Sequence, residues 1–357
     1  MTALILETAH LERPWAGVDP FLFCAYHIDR YPRGDGALGI APEMLGDRLL
    51  GNDFSALNGY SMYHGNTVPG FPVHPHRGFE TVTIVRCGYV DHSDSLGAQA
   101  RYGVGDVQWL TAGAGVQHAE MFPLLHTDRD NPLELFQIWL NLPARSKFAA
   151  PAFKMLWAEQ IPRYQHGGAT VTVIAGTYRP VEGAAAITPP APPPDSWGAQ
   201  AASDLALWLV RLPPGAELTL PAAQNARSLR TLYVFDGDGL QITDRAQPHP
   251  TGPQKIVRVD AQQPLPLVNA GDGPVQLLLM QGVPLNEPVA AAGPFVMNTQ
   301  EELHQARVDY GRTRFGGWPW ETPAPTHGPS LQRFARYPGR TDIETPPAAP
   351  SAQGSTS

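Results

Sequence analysis

A chain of 357 residues holds enough material for two domains of ordinary size, each with a substantial core. Its 35 glycines and 38 prolines, with charged residues at 16 %, favour many short strands joined by turns over a helical bundle. A net charge of −8, with no Lys/Arg block, argues against direct binding of nucleic acid through phosphate neutralisation.

The opening stretch MTALILETAHLERPW has a short apolar segment before Glu7, no basic leader and no small-residue cleavage signal. No apolar run approaches the roughly 18–20 residues that span a bilayer, so neither a secretory route nor a membrane span is expected. Cys24 and Cys87 stand far apart in no metal or redox spacing, and read as two buried, reduced thiols of a cytoplasmic protein.

In chain order, Phe21–Tyr26 reads as a short buried strand and residues 33–60, rich in Gly, Asn and Asp, as an irregular loop. Phe79–Arg86 alternates and is rich in β-branched residues, Gly88 closes it, and Tyr89–His92 opens the next strand. Gly103–Asp106 is a turn ahead of Val107–Leu110, and Leu133–Leu140 is a further apolar run. Turn signals every 8–12 residues or so indicate an all-β sandwich or barrel.

Beyond about residue 165 the pattern restarts, with strand-like Ala169–Tyr178, a Pro-rich break from Thr188 to Asp195, then Leu205–Leu212, Leu218–Leu220, Leu232–Phe235 and Val275–Met280. The order of apolar runs and Gly turns echoes the first half and predicts a duplicated β domain. Its second copy has no His-x-His and no His-x-Glu, with His249 isolated in a Pro-rich loop, and is expected to bind no metal. One helix is predicted after the capping box Thr299-x-x-Glu302, with Leu303, Ala306, Arg307 and Tyr310 at helical spacing and Gly311 as its stop. From Trp318 the Pro-, Ala- and Ser-rich composition predicts a largely disordered tail, above all after Thr345.

Two short patterns carry the chemistry: His74-Pro75-His76 and His118-Ala119-Glu120. In a strand, residues i and i+2 share a face, so each pair presents two ligand-type side chains to one side of a sheet. Two such strands facing each other would bring three imidazoles and one carboxylate to a point. That set suits a first-row metal such as Fe(II), Mn(II), Ni(II) or Cu(II), with room for water, dioxygen or a substrate oxygen. A single His-x-His among 12 histidines would mean little; the second period-2 pair is what gives it weight.

The stretches VHPHRGFETVTIVRCG (Val73 to Gly88) and GDVQWLTAGAGVQHAEM (Gly105 to Met121) closely resemble the two signature blocks of the pirins, bicupin proteins of the cupin superfamily. DHSDSLG (Asp91 to Gly97) and GPFVMNTQEELHQARVDYGRTRFG (Gly293 to Gly316) fit the same pattern, so the resemblance runs from about residue 15 to 317. It implies two tandem jelly-roll-like β-barrels with a short C-terminal helix: a metal-binding domain over residues 1–165, a degenerate cupin over 166–317 and the tail over 318–357. It also implies one metal held by His74, His76, His118 and Glu120, first of all Fe(II), with Mn, Ni, Cu, Zn or Co as alternatives. Cupins in general use a Glu a few residues after the His-x-His, which enters Glu80 as a competing ligand; a bulge at Gly78 would turn it away.

Around this set, His92, Asp94 and Asp106 are candidate acceptors for the second ring nitrogens of the ligands. Gln137, a polar residue inside an apolar run, is a pocket candidate facing substrate or a metal-bound water, or else a satisfied core amide. Trp109 and Trp139 are expected to pack the core, and Arg77 to form a structural ion pair or a surface charge. Ala114 stands where pirins commonly carry a larger basic residue. The loop at 33–60 and the insert near 190 look longer than usual.

The resemblance implies a dioxygenase of the quercetin 2,3-dioxygenase type, acting on an aromatic or flavonoid-like molecule and dioxygen, with Glu120 as the base that takes the hydroxyl proton. A non-enzymatic alternative is an iron-binding, redox-responsive regulator that acts through a protein partner. Other cupin chemistry, such as isomerisation or thiol oxidation, and a metal-free scaffold are the further readings.

Overall fold

The computed structural model describes residues 3–244 and 247–348, and they are mostly strand. Among them one helix exceeds a single turn, Gln300–Thr313, and no helix is long and apolar enough to cross a membrane. Two compact units emerge. One comprises Tyr26–Gln137, Ala144–Glu159 and the chain from Pro288 on; the other comprises the chain up to Ala25, Ile138–Pro143 and Gln160–Glu287.

The first unit has two facing sheets. One runs in the order Phe334–Arg336, Gln99–Gly103, Tyr89–Asp94, Val116–Met121, Gly70–His76. The other contains, in order, Ala152–Leu156, Val107–Thr111, Phe79–Cys87 and the parts of Asn131–Asn141 and Phe21–Tyr31 that fall within this unit. Val85, Leu110 and Leu135 from the second meet Val90, Tyr102 and Val116 from the first in one core. Phe79 to Val85 is buried on both faces, which suits its β-branched composition. Gly88 turns the chain at φ +81°, where a Cβ would lie 2.7 Å from the Pro132 carbonyl.

In the other unit a seven-stranded sheet runs from Ile5–His10 through Lys255–Val259, Leu229–Asp236, Val275–Gly282, Ala206–Leu212 and Ala169–Ala175 to Arg163–His166. It faces a four-stranded sheet in the order Glu217–Leu220, Leu265–Asn269, Leu240–Asp244, Gln247–Thr251. Its interior is aliphatic, with Val210, Leu218, Leu232, Leu267 and Leu277 in one cluster, and His249 lies exposed on the outermost strand.

Several expectations need correction. The division is not a single cut near residue 165. Ile5–His10 pairs antiparallel with Lys255–Val259 and so joins the later unit, while the chain from Pro288 returns to the earlier one. The tail is ordered from Trp318 to residue 348: Phe334–Arg336 adds an edge strand to Gln99–Gly103, and Trp157 Nε1 donates to Glu344 at 2.6 Å. Proline-rich composition did not prevent order, because the segment finds an open sheet edge and buried polar partners. Residues 349–357 lie outside the described residues.

The capping box at Thr299 and Glu302 is present, with Leu303 and Ala306 buried, but Gly311 does not stop the helix. It ends at Arg314, in the left-handed region at φ +50°. Residues 33–60 are pinned by a buried pair, Arg48 to Asp53 at 2.7 Å, with Arg48 also donating to the Tyr60 carbonyl at 2.9 Å. Both cysteines are free; Cys24 is buried, as expected, and its thiol pKa is pushed up by desolvation, whereas Cys87 is only partly buried.

Candidate metal centre

Gly70–His76 and Val116–Met121 are antiparallel neighbours, and His74 stands directly opposite His118. The register slips between Phe71, which faces Glu120, and His74, so Pro72 and Val73 form a bulge. A proline fits there because the bulge needs no ladder donor at that point. The bulge also turns the Pro72 carbonyl towards its own strand's ligand: His74 Nδ1 lies 2.9 Å from it. A carbonyl only accepts, so the proton sits on Nδ1 and the lone pair of His74 is left on Nε2.

The three imidazoles converge. Ring centroids lie 4.4 Å apart for His74 and His118, and 4.8 Å apart for His76 with each of the other two. One nitrogen from each lies within 4.8 Å of the others. His76 and His118 are buried, His74 partly so. Both ring nitrogens of His118 lack a hydrogen-bond partner. An unpaired buried polar atom costs about 1–3 kcal/mol, so this imidazole fits a metal far better than it fits an idle core. Burial holds His74 down to about 4 and His76 and His118 well below the ordinary histidine value, the neighbouring imidazoles adding to the effect on the latter two. All three are therefore neutral at pH 7, the form a metal requires.

Glu120 lies beside this trio, its Oε2 3.6 Å from His118 Nε2. Gln137 Nε2 donates to Glu120 Oε2 at 2.8 Å, and Thr83 Oγ1 lies 3.5 Å from Oε1. Desolvation raises the Glu120 pKa, opposed by His92 and by the bonds from Gln137 and Thr83. The pocket candidate Gln137 thus orients the carboxylate.

Glu80 is turned away. The strand breaks after His76, Gly78 takes φ +86° where a Cβ would lie 1.9 Å from the Val296 carbonyl, and pairing restarts at Phe79. Glu80 then points opposite to Thr83 and accepts from Trp109 Nε1 at 3.1 Å and Thr111 Oγ1 at 2.7 Å. Trp109 is a core residue with that one polar tether, and Trp139 packs on Phe23 at 4.5 Å.

Of the candidate acceptors, His92 sits closest. It stands opposite Glu120 in register, its ring 5.5 Å from His118, stacked on Phe153, with Gln108 Nε2 2.8 Å from its Nδ1 and Asp94 Oδ2 3.3 Å from its Nε2. It lines the site but holds no ligand's second nitrogen. Asp94 caps its own turn through the Leu96 and Ala98 amides. Asp106 binds the Gly103 and Ala158 amides and Arg333, so it is a loop anchor. Arg77 is the structural pair expected: it bonds Asp309 at 2.8 Å and the Ala114 carbonyl at 2.7 Å, so Ala114 contributes its backbone here. Thr83, Gln108 and Tyr102, whose hydroxyl lies 3.4 Å from Gln108, complete the polar wall. The signal that would have found Gln108 is the one that found Gln137, an amide between apolar neighbours.

Around His74 lies an aromatic rim. Phe71 is 6.2 Å away and packs on Tyr63 at 5.0 Å, His64 at 5.7 Å and His27 at 5.8 Å.

A family model described as Pirin matches residues 44–140, and one described as Pirin C-terminal cupin domain matches residues 207–316. The chain is 36% identical over 251 residues to a Pseudomonas aeruginosa protein named as a candidate quercetin 2,3-dioxygenase, spanning 69% of this chain and 79% of that one. It is 33% identical over 266 residues to pirin of Homo sapiens, spanning 72% and 81%. Among solved structures, a quercetin 2,3-dioxygenase from Acinetobacter baumannii matches with a TM-score of 0.64 at 26% identity, over 89% of this chain and 99% of the other.

Proposed function

The chain belongs to the pirin family, and from that premise we propose that its first barrel is the centre of a metal-dependent dioxygenase of the quercetin 2,3-dioxygenase type. His74, His76 and His118 would hold one divalent transition metal, Fe(II) first among the candidates, with Glu120 as fourth ligand or free base. The observation that carries this reading is buried His118, with neither nitrogen bonded, set between two more neutral imidazoles.

When bound, the metal supplies Lewis acidity towards an aromatic hydroxyl and, if redox-active, a route to dioxygen. The rest falls to the chain. Glu120 takes the hydroxyl proton, and its burial raises its hold on that proton once transferred. Gln137 keeps the carboxylate aimed, and Phe71 with its aromatic neighbours offers a flat apolar rim for a planar ring system. Thr83, Gln108 and His92, all fully or almost fully buried, form the inner polar wall beside Glu120.

The test is oxygen uptake by Fe(II)-loaded protein given quercetin, with metal content measured on the same sample. Glu120→Gln should lower kcat about 10²–10⁴-fold, the range for losing a general base. A fully metallated protein that consumes no oxygen with any flavonol sinks the dioxygenase reading and turns the search to the regulatory one, in which the oxidation state of the metal controls a protein partner.

A further inference from the structure

The family match ends at residue 316, yet the chain continues across the sheet that carries the imidazoles. Between Gly317 and His327 it contacts three adjacent strands of that sheet: Tyr89–Asp94, Val116–Met121 and Gly70–His76.

On the middle strand, Gln117 precedes His118 and so points to the opposite face. There its Nε2 donates to the carbonyls of Arg314 at 2.7 Å and Gly317 at 2.8 Å, and its Oε1 accepts from the Tyr310 hydroxyl at 2.9 Å. On one flanking strand, Trp320 Nε1 donates to the Asp94 carbonyl at 2.9 Å, and His327 Nε2 lies 2.9 Å from the His92 carbonyl. Asp94 and His92 are the residues opposite His118 and Glu120 in register. On the other flanking strand, the amide of Val73 donates to the Pro323 carbonyl at 2.7 Å. Val73 sits in the bulge just before His74, on a strand at the sheet edge, where the ladder gives its N–H no partner.

These contacts share one consequence. The imidazoles come from two strands, one of them bulged and at an edge, so their spacing depends on how firmly that edge is held. Ligands have to stay within about 0.5 Å of the productive geometry for a metal to bind without rearrangement. We propose that the segment from Gly317 to His327 is a strap that sets this geometry, and that Gln117, Trp320 and His327 are positioning residues of the metal centre. The proposal rests on the reading that His74, His76 and His118 bind a metal.

The experiment titrates Co(II) into full-length apo-protein and follows its visible absorption, which reports ligand geometry as well as affinity. His327→Ala removes the side-chain donor to the His92 carbonyl; His327→Gln returns an N–H at a similar reach. Trp320→Phe keeps the ring and loses only its N–H. His327→Ala should bind Co(II) about 10-fold more weakly, as for loss of a residue that orients a metal ligand, and with a displaced band. Trp320→Phe should shift the band in the same sense, and His327→Gln should restore affinity and band together. Thermal melts of the apo-proteins identify any variant that fails to fold, in which case Trp320→Phe, the mildest change, decides. Folded His327→Ala and Trp320→Phe proteins that bind Co(II) with wild-type affinity and an unchanged band overturn the strap and leave the metal site standing. A wild-type protein that takes up no Co(II) overturns the metal site, and the strap with it.

Discussion

Three strands of the smaller sheet in each barrel pair in the same order. In one, Gly70–His76 pairs with Val116–Met121, which pairs with Tyr89–Asp94; in the other, Glu217–Leu220 pairs with Leu265–Asn269, which pairs with Leu240–Asp244. Where the first sets His74 opposite His118, the second sets Leu218 opposite Leu267, with Leu220 opposite Leu265 as the next inward pair. Each buried leucine stabilises its barrel by about 1.5–3 kcal/mol. A buried imidazole with unpaired nitrogens instead costs about 1–3 kcal/mol for each unpaired atom. The leucine barrel shows that the scaffold closes without a polar layer, so closure alone does not call for the histidine layer.

The largest effect should come from making the first barrel imitate the second. His118→Leu should abolish stoichiometric metal binding while the apo-protein melts no lower than wild type, since two unpaired nitrogens leave the core. Metal analysis and a melt on one preparation check this. Retention of a full equivalent of metal would mean the ligands lie elsewhere. The converse change, Leu267→Ala, should cost about 2–5 kcal/mol in denaturant unfolding and leave the metal content of the folded protein unaltered. Loss of metal in the folded Leu267→Ala protein would show that the barrels are not separable in this way.

How much of this was legible beforehand follows from the range over which each signal acts. The period of two in a strand is local, so His74, His76, His118 and Glu120 could be placed on shared faces from their spacing alone. The parity argument fails at Glu80, because Gly78 at φ +86° ends one strand and the next begins on its own phase. Gly311 misled for a different reason: glycine only weakens a helix, and the stop needed a left-handed residue, which Arg314 supplies. The domain boundary and the tail were illegible because both are settled by long-range pairing. Nothing near Ile5 announces Val259, and nothing near Pro323 announces Val73. The spacing of Gln117 to His118 would have shown that Gln117 faces outward, but not what covers it.

A smaller effect separates the barrels by pH. His74 is held at about 4 in the folded apo-protein, against about 6.5 in an unfolded chain. Above pH 6.5 the group is neutral in both states and contributes no dependence. Between about 6.5 and 4 the unfolded chain binds a proton that the folded chain refuses, so stability falls as pH falls through that window. His76 and His118 act in the same direction. The apo-protein should therefore lose melting temperature steadily from pH 7 to pH 4.5. His118→Leu should show a shallower loss, since one such group is gone; an identical slope would mean that the buried imidazoles do not govern acid sensitivity.

The smallest expected effect lies in the second barrel, at the pair between Arg258 and Glu7, 2.8 Å apart with side chains 42% and 56% exposed. Water screens both charges, and ordering two long side chains offsets most of the attraction, so such pairs contribute about 0–1 kcal/mol. In the first barrel, Arg101 and Asp91 form a fully enclosed pair with two bonds, at 2.7 and 2.6 Å, where removing one partner would strand a buried charge. Glu7→Ala should hence shift the denaturant midpoint barely at all, although Glu7 sits on the strand Ile5–His10 that joins the N-terminus to the second barrel. What holds that strand is the ladder from Ile5 to His10 against Lys255 to Val259, together with Leu4, buried in the aliphatic core. A loss beyond about 2 kcal/mol on Glu7→Ala, well above the range for an exposed pair, would mean that the ladder alone does not keep the N-terminus in place.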